Sequence, residues 1–254
     1  MARTALITGA SSGLGAEYAR QLAARGVALV LVARDRAALD ELALQVRRRY
    51  DVSCEVLVAD LTVPRQRTKV TDRLADESRP IDMLVNNAGF GLDLAFESND
   101  IEDEARHLAL HVEVPMRLMR AALPGMLRRR SGRIVNVASV AGFIPRSTYG
   151  ACKGWLISFS RWANGRYAPD GVTVTAVCPG FTHTGFHERM GLGPGEEGVP
   201  AALWLQASDV VSESLRDVAR GKAVSVPSLR YKALVALTRL VPPSVAARVG
   251  ERGR

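Results

Sequence analysis

An apolar run, Ala5-Leu6-Ile7, leads straight into Thr8-Gly9-Ala10-Ser11-Ser12-Gly13-Leu14-Gly15, and a helix-patterned segment follows from Ala16 to Arg25. Strand, glycine turn and helix start are thus compressed into the first few residues. Glycines at these places allow dihedrals closed to other residues and let backbone N–H groups approach a pyrophosphate, whose charge the helix N-terminus stabilises. A chain that opens this way is expected to begin with a dinucleotide-binding unit. A glycine-rich turn alone is weak, since glycines also mark ordinary tight turns.

The rest of the chain follows the same logic. Strand-length apolar runs recur at Ala5 to Ile7, Ala28 to Val32, Cys54 to Val58, Met83 to Val85, Ile134 to Val137, Val172 to Val177 and Ala223 to Val226, with helix-patterned segments between them. Short apolar strands alternating with helices predict an α/β fold of Rossmann type: a doubly wound, mainly parallel seven-stranded sheet covered by helices on both faces. Ligands of such sheets sit at the carboxyl ends of the strands. With 254 residues, 47% of them apolar, the chain is long enough for one such core. A single domain over residues 1–254 is expected, with an amphipathic tail from about residue 227.

The motifs at those strand ends are specific together. The spacing TGxxxGxG is followed by Asn86-Asn87-Ala88-Gly89, by Ser139 with Tyr149-Gly150-Ala151-Cys152-Lys153, and by Pro179-Gly180 with Thr184. In this order the set resembles the short-chain dehydrogenase/reductase family, over about residues 3 to 226. The resemblance implies an oxidoreductase in which Tyr149 is the acid/base, Lys153 lowers its pKa and clamps the nicotinamide ribose, and Ser139 bonds the substrate oxygen. It also implies cofactor contacts from Gly9, Ser11, Ser12, Gly13, Leu14 and Gly15. Further contacts would come from Asp60 and Leu61 at the adenine, from Asn87, Ala88 and Gly89 along the ribose, and from Pro179, Gly180, Thr182 and Thr184 at the carboxamide and phosphates. Asp60 can equally cap its own turn.

In that family an acidic residue after the second strand selects NAD. Here the position is Ala33, and Arg34 follows, a guanidinium suited to a 2′-phosphate. NADP(H) is therefore expected over NAD(H), unless Arg34 is simply one more surface arginine. Asp35 should point away from the nucleotide.

Two departures from the family pattern stand out. The interval from Ser139 to Tyr149 is shorter than usual, which removes material from one wall of the substrate site. Where the family keeps an asparagine that kinks a helix and holds a relay water stands His111, which either serves that relay or is a satisfied histidine of the helix interior. The neighbours Phe143, Ile144, Trp155, Phe181 and Phe186 point to a hydrophobic carbonyl substrate. The rival class is a dinucleotide-binding sensor or scaffold that moves no hydride.

The remaining features are weighed against partners. A net charge of +8 with Arg47-Arg48-Arg49 and Arg128-Arg129-Arg130 invites nucleic acid, but both triplets close helices, where cations complement the dipole, and no aromatic residues interleave. No nucleic-acid partner is expected. Cys54, Cys152 and Cys178 show no metal or disulfide spacing and read as core residues of a soluble, cytoplasmic protein. His183, His187 and Glu188 lack a further ligand pair, so no metal is expected. Residues 181 to 200, with Gly191-Leu192-Gly193-Pro194-Gly195, read as a lid. The tail sets Leu229, Ala233, Leu234, Leu237 and Leu240 among Arg230, Lys232 and Arg239; packing on the body or a second subunit is favoured over a membrane surface. A homodimer or homotetramer would follow the family's habit.

Overall fold

The computed structural model describes residues 3–92, 96–144, 147–186 and 200–238. Strands β1 (Thr4–Thr8), β2 (Ala28–Ala33), β3 (Cys54–Val58) and β4 (Met83–Asn86) alternate with helices α1 (Gly13–Ala23), α2 (Arg36–Tyr50) and α3 (Pro64–Ala75). Helices α4 (Ile101–Leu108) and α5 (Val114–Arg128) precede β5 (Gly132–Val137), α6 (Thr148–Tyr167) and β6 (Val172–Val177). Then come β7 (Thr182–His183), β8 (Leu205–Gln206), α7 (Ala207–Ala219), β9 (Val224–Ser225) and α8 (Leu229–Thr238). Seven strands form one parallel sheet in the order β3-β2-β1-β4-β5-β6-β9, as expected of a doubly wound fold. The two-residue strands β7 and β8, which carry no apolar run, pair separately.

Alternation along the strands explains why both faces are covered. Ala5 and Ile7 of β1, with Leu29 and Leu31 of β2, join the layer built on α1, α2 and α7. Leu6, Val30 and Val32 project to the opposite layer, against α3, α5 and α6. Leu6, Ile7 and Leu31 are wholly buried, each worth about 1.5–3 kcal/mol of transfer free energy. An Ile7→Asp change would place a charge in the first layer and is expected to unfold the sheet.

Both arginine triplets close helices as expected. Arg47 bonds the Cys54 carbonyl, Arg129 donates to Ile81 O at 3.0 Å, and Arg128 pairs with Glu77. The three cysteines are free and buried. No helix of the described residues is long and apolar enough to cross a membrane.

The order in which strands are added reverses between β1 and β4, so a crevice opens above the carboxyl ends of these parallel strands. A buried polar file fixes the far side of it: Asn86 Nδ2 donates to Asn136 Oδ1 (2.8 Å), and Asn136 Nδ2 donates to Ser160 Oγ (2.9 Å). Strands β4 and β5 are thereby tied to α6, two turns beyond Lys153.

The tail differs from its expectation. Helix α8 packs on the body, but through Tyr231 and Val235; Leu229, Leu234 and Leu237 face outward. Leu240 and Arg239 lie outside the described residues. The reason is one aromatic ring: Tyr231 fills the space over Gly180, and its hydroxyl donates to Leu203 O (2.8 Å) and accepts from Phe181 N (3.1 Å).

Candidate active site

The glycine turn is built by close backbone approach. A Cβ on Gly15 would stand 2.1 Å from Gly9 O, and one on Gly9 2.9 Å from Ala88 Cα; Gly9 and Gly13 also have positive φ, +63° and +54°. The turn is locked to the end of β4. Thr8 Oγ1 accepts from the backbone N–H of Asn87 (2.9 Å) and Ala88 (3.0 Å), while Asn87 Nδ2 donates to Thr8 O (3.0 Å) and Gly9 O (3.2 Å). Asn87 lines the cleft, yet its amide is committed to this latch rather than to a ribose. Thr8, the first residue of the glycine motif, is a positioning residue to which the sequence reading gave no role.

A cleft of about 1470 Å³ runs over these elements. At one end lie Ser11, Ser12, Arg34, Asp60, Leu61 and Thr62; at the other Ser139, Tyr149, Lys153, Phe181, Thr184 and Phe186. Gly13, Leu14, Asn87, Ala88, Gly89, Pro179, Gly180 and Thr182 lie between. Asp35 also lines the cleft, but its Oδ1 accepts from Ala38 N at 3.1 Å and caps α2. Arg34 is exposed at the rim with no ion-pair partner among the described residues. Asp60 Oδ1 takes both the N–H (2.9 Å) and hydroxyl (2.6 Å) of Thr62, so Asp60 does cap its turn, while Oδ2 has no protein partner among the described residues. The donor set fits a nicotinamide dinucleotide: a helix start and glycine backbone for the pyrophosphate, a carboxylate oxygen for adenine, a guanidinium for a 2′-phosphate.

The end of the cleft that holds Ser139 and Tyr149 is shaped by caps. Ser139 is extended (φ −164°) and starts a short 3-10 turn, Val140–Phe143, its Oγ accepting from Ala141 N at 3.1 Å. Ser147 caps α6 by accepting from Gly150 N (3.1 Å), which places Tyr149 in the first helical turn. The Ser139 hydroxyl stands beside the Tyr149 phenol and acts on its ionisation despite the short interval between them. Burial pushes the Tyr149 phenol up to about 12, and Ser139 opposes this. The Lys153 ammonium sits 5.4 Å from the Tyr149 ring centroid and donates to Val137 O at 2.8 Å. Burial presses Lys153 down to about 8. Desolvation thus governs the Tyr149 phenol, contrary to the lowering expected from Lys153.

His111 lies in a π-helical turn, Ala109–Glu113, between α4 and α5. Pro115 has no N–H to offer the His111 carbonyl, and Val114 N bonds back to Ala109 O, so the helix widens here. His111 Nε2 sits 2.8 Å from Phe90 O; its ring is 5.6 Å from the Tyr149 ring. One turn earlier the His107 ring lies tilted, 4.4 Å from the His111 ring and 6.0 Å from that of Tyr149. Burial and Lys153 hold both imidazoles low, His107 near 4 and His111 well below its usual value. His107 was not anticipated, although its i, i+4 spacing from His111 carries the signal.

Several expectations need correction or fall outside. Trp155 and Phe143 are not in the cleft: six residues past Tyr149, Trp155 has rotated to the far side of α6 and stacks on Phe159 (5.0 Å), and Phe143 lies under Arg161. Ile144, Phe181 and Phe186 do line it. His183 stacks on Trp204 (4.8 Å). His187, Glu188 and residues 191–195 of the expected lid lie outside the described residues. Among the described residues no group of three His, Cys, Asp or Glu side chains could hold a metal.

A doubly wound sheet with a serine, tyrosine and lysine at its carboxyl edge defines a class of nicotinamide oxidoreductases. The short chain dehydrogenase family model matches residues 3–193, and this chain belongs to the short-chain dehydrogenase/reductase family. An NADPH-bound short-chain dehydrogenase from Sphingobium yanoikuyae superposes with a TM-score of 0.85 at 37% identity, over 93% of this chain and 94% of that one. A bulky-bulky ketone specific alcohol dehydrogenase from Comamonas testosteroni gives 0.80 at 34%, over 93% and 92%. An uncharacterized oxidoreductase of Staphylococcus saprophyticus is 34% identical over 72% of this chain and 79% of its own length.

Proposed function

We propose that the protein is an NADP(H)-dependent oxidoreductase that interconverts a carbonyl and a secondary alcohol on a hydrophobic small molecule. The observation that carries this reading is the convergence of Ser139, Tyr149 and Lys153 beside a nucleotide-shaped cleft rimmed by Arg34. The NADPH complex of the Sphingobium relative and the ketone named for the Comamonas relative support it.

The bound nicotinamide supplies or accepts the hydride. In reduction, Tyr149, protonated at neutral pH, gives its phenolic proton to the carbonyl oxygen as the carbon gains hydride, and the Ser139 hydroxyl donates a hydrogen bond to the same oxygen. Lys153 holds the nicotinamide ribose and stabilises the phenolate left on Tyr149. His111, with Nδ1 buried and unbonded among the described residues, takes the place of the family's asparagine in returning a proton to that pair. Ile144, Phe181 and Phe186 give the substrate an apolar wall. The exposed Met116 and Trp162, on α5 and α6, support a homo-oligomer packed through these helices.

The test is NADPH oxidation with a series of aryl alkyl ketones. Wild type should turn over, and Tyr149→Phe should lose about 10²–10⁴-fold in kcat while still binding NADPH. A wild type that binds NADPH but consumes none with any ketone would instead favour the sensor reading.

A further inference from the structure

His107 is fully buried, and neither of its ring nitrogens has a hydrogen-bond partner among the described residues. His111 Nδ1 is in the same condition. Such atoms in native interiors are paired with protein or with ordered water, and three of them within one helical turn mark a polar pocket. The walls are known. Phe90 closes one side, edge-on to His107 with ring centroids 5.4 Å apart; Tyr149 and Lys153 of α6 face it from another. Glu104 lies one turn earlier on α4, 6% exposed, accepting from Asn99 Nδ2 at 2.8 Å. Cys152, also on α6, faces Glu104. Glu104, His107 and His111 thus follow one another along a single face, from the nearly buried Glu104 carboxylate toward Tyr149.

We propose that His107 is a relay residue: through water held at its two ring nitrogens it passes protons between Glu104 and the water on His111 Nδ1, so that Tyr149 is reprotonated from the α4 side and not only from the cleft. It touches neither substrate nor cofactor and acts through His111. Each reduction removes one proton from Tyr149. One proton enters at Glu104, His107 accepts on one nitrogen and releases from the other, and the water on His111 Nδ1 hands a proton to Tyr149 while Nε2 stays on Phe90 O; the starting His107 tautomer returns by exchange with the same water. No charge accumulates in the pocket, consistent with Lys153 and burial keeping both rings neutral. This rests on the oxidoreductase reading above.

The test compares His107→Phe, which keeps an aromatic ring but removes both nitrogens, with His107→Gln, which restores a donor and an acceptor. Reduction of valerophenone by NADPH is followed in H2O and D2O. We expect His107→Phe to lower kcat at least fivefold, leave KM for NADPH unchanged and enlarge the solvent isotope effect, with His107→Gln recovering most of the rate. In nucleotide-free protein labelled with 15N-histidine, the His107 ring nitrogens should exchange with water. Equal rates and isotope effects in wild type and His107→Phe, equal losses in both variants, or a His107 ring shielded from water would each overturn the relay. Should His107→Phe not fold, His107→Gln and the exchange measurement still decide. A wild type that transfers no hydride overturns the underlying reading, and with it the relay.

Discussion

The ring of His111 lies against the backbone of Gly89, so that a Cβ on that glycine would stand 2.5 Å from His111 Cε1 and 3.2 Å from Nε2. The motif glycine and the histidine of the π-helical turn are therefore one steric unit. Gly89→Ala should push the ring off Phe90 O and out of line with Tyr149. We predict a fall in kcat of about tenfold or more with the fold retained, read by steady-state kinetics and circular dichroism. An unchanged kcat would separate His111 from the reaction.

Gly142 sets the distance between the two halves of the catalytic set. A Cβ there would meet Lys153 C at 2.7 Å and Gly154 N at 2.8 Å, both backbone atoms that cannot swing away. Gly142→Ala is expected to move the turn bearing Ser139 from α6, with a loss of about 10²-fold in kcat at little cost in nucleotide affinity. Nucleotide titration alongside kinetics would show the split.

Acid should destabilise the fold through the two histidines. His107 and His111 are buried with folded pKa values below their ordinary value, so between about 6.5 and 4 the unfolded chain binds protons that the folded one does not. Stability then falls as pH falls through that window, by up to about 1.4 kcal/mol per pH unit for each histidine. Urea melts from pH 7 to 4 should show the slope, and His107→Phe should reduce it. A slope identical in both proteins would contradict the assignment.

Much of this was legible in the sequence because the sheet strands lie between two helical layers and are rich in apolar, often β-branched residues, with few polar interruptions. Ala28 to Val32 and Val172 to Val177 reappear within a residue of their predicted bounds. The nucleotide-facing motifs are equally local: Gly9, Gly13 and Gly15 serve one turn. What depends on packing between distant segments was not visible. Leu229, Leu234 and Leu237 suggested the buried face of the tail, yet Tyr231 took that place because Gly180 leaves room for its ring. Trp155 read as a site residue until its rotation about α6 was known, and His107 acquires meaning only when α4 lies across α6.

Tyr231 also yields a prediction. Its hydroxyl bridges Phe181 N and Leu203 O, the two segments that β7 and β8 bring together beside Pro179 and Gly180. Tyr231→Phe leaves those groups short of a partner at a cost of about 1–3 kcal/mol. A lowered melting temperature and a raised KM for NADPH should appear together; a shift in stability alone would confine Tyr231 to the scaffold.

Cofactor choice bears most directly on the whole account. Nucleotide fluorescence should be followed as purified wild type and Arg34→Ala are titrated with NADPH and with NADH. We predict that wild type binds NADPH at least tenfold more tightly than NADH, and that Arg34→Ala loses this preference by weakening NADPH alone, as removal of a charge-assisted phosphate contact requires. Binding of neither nucleotide, or equal binding of both unaffected by Arg34→Ala, would contradict it.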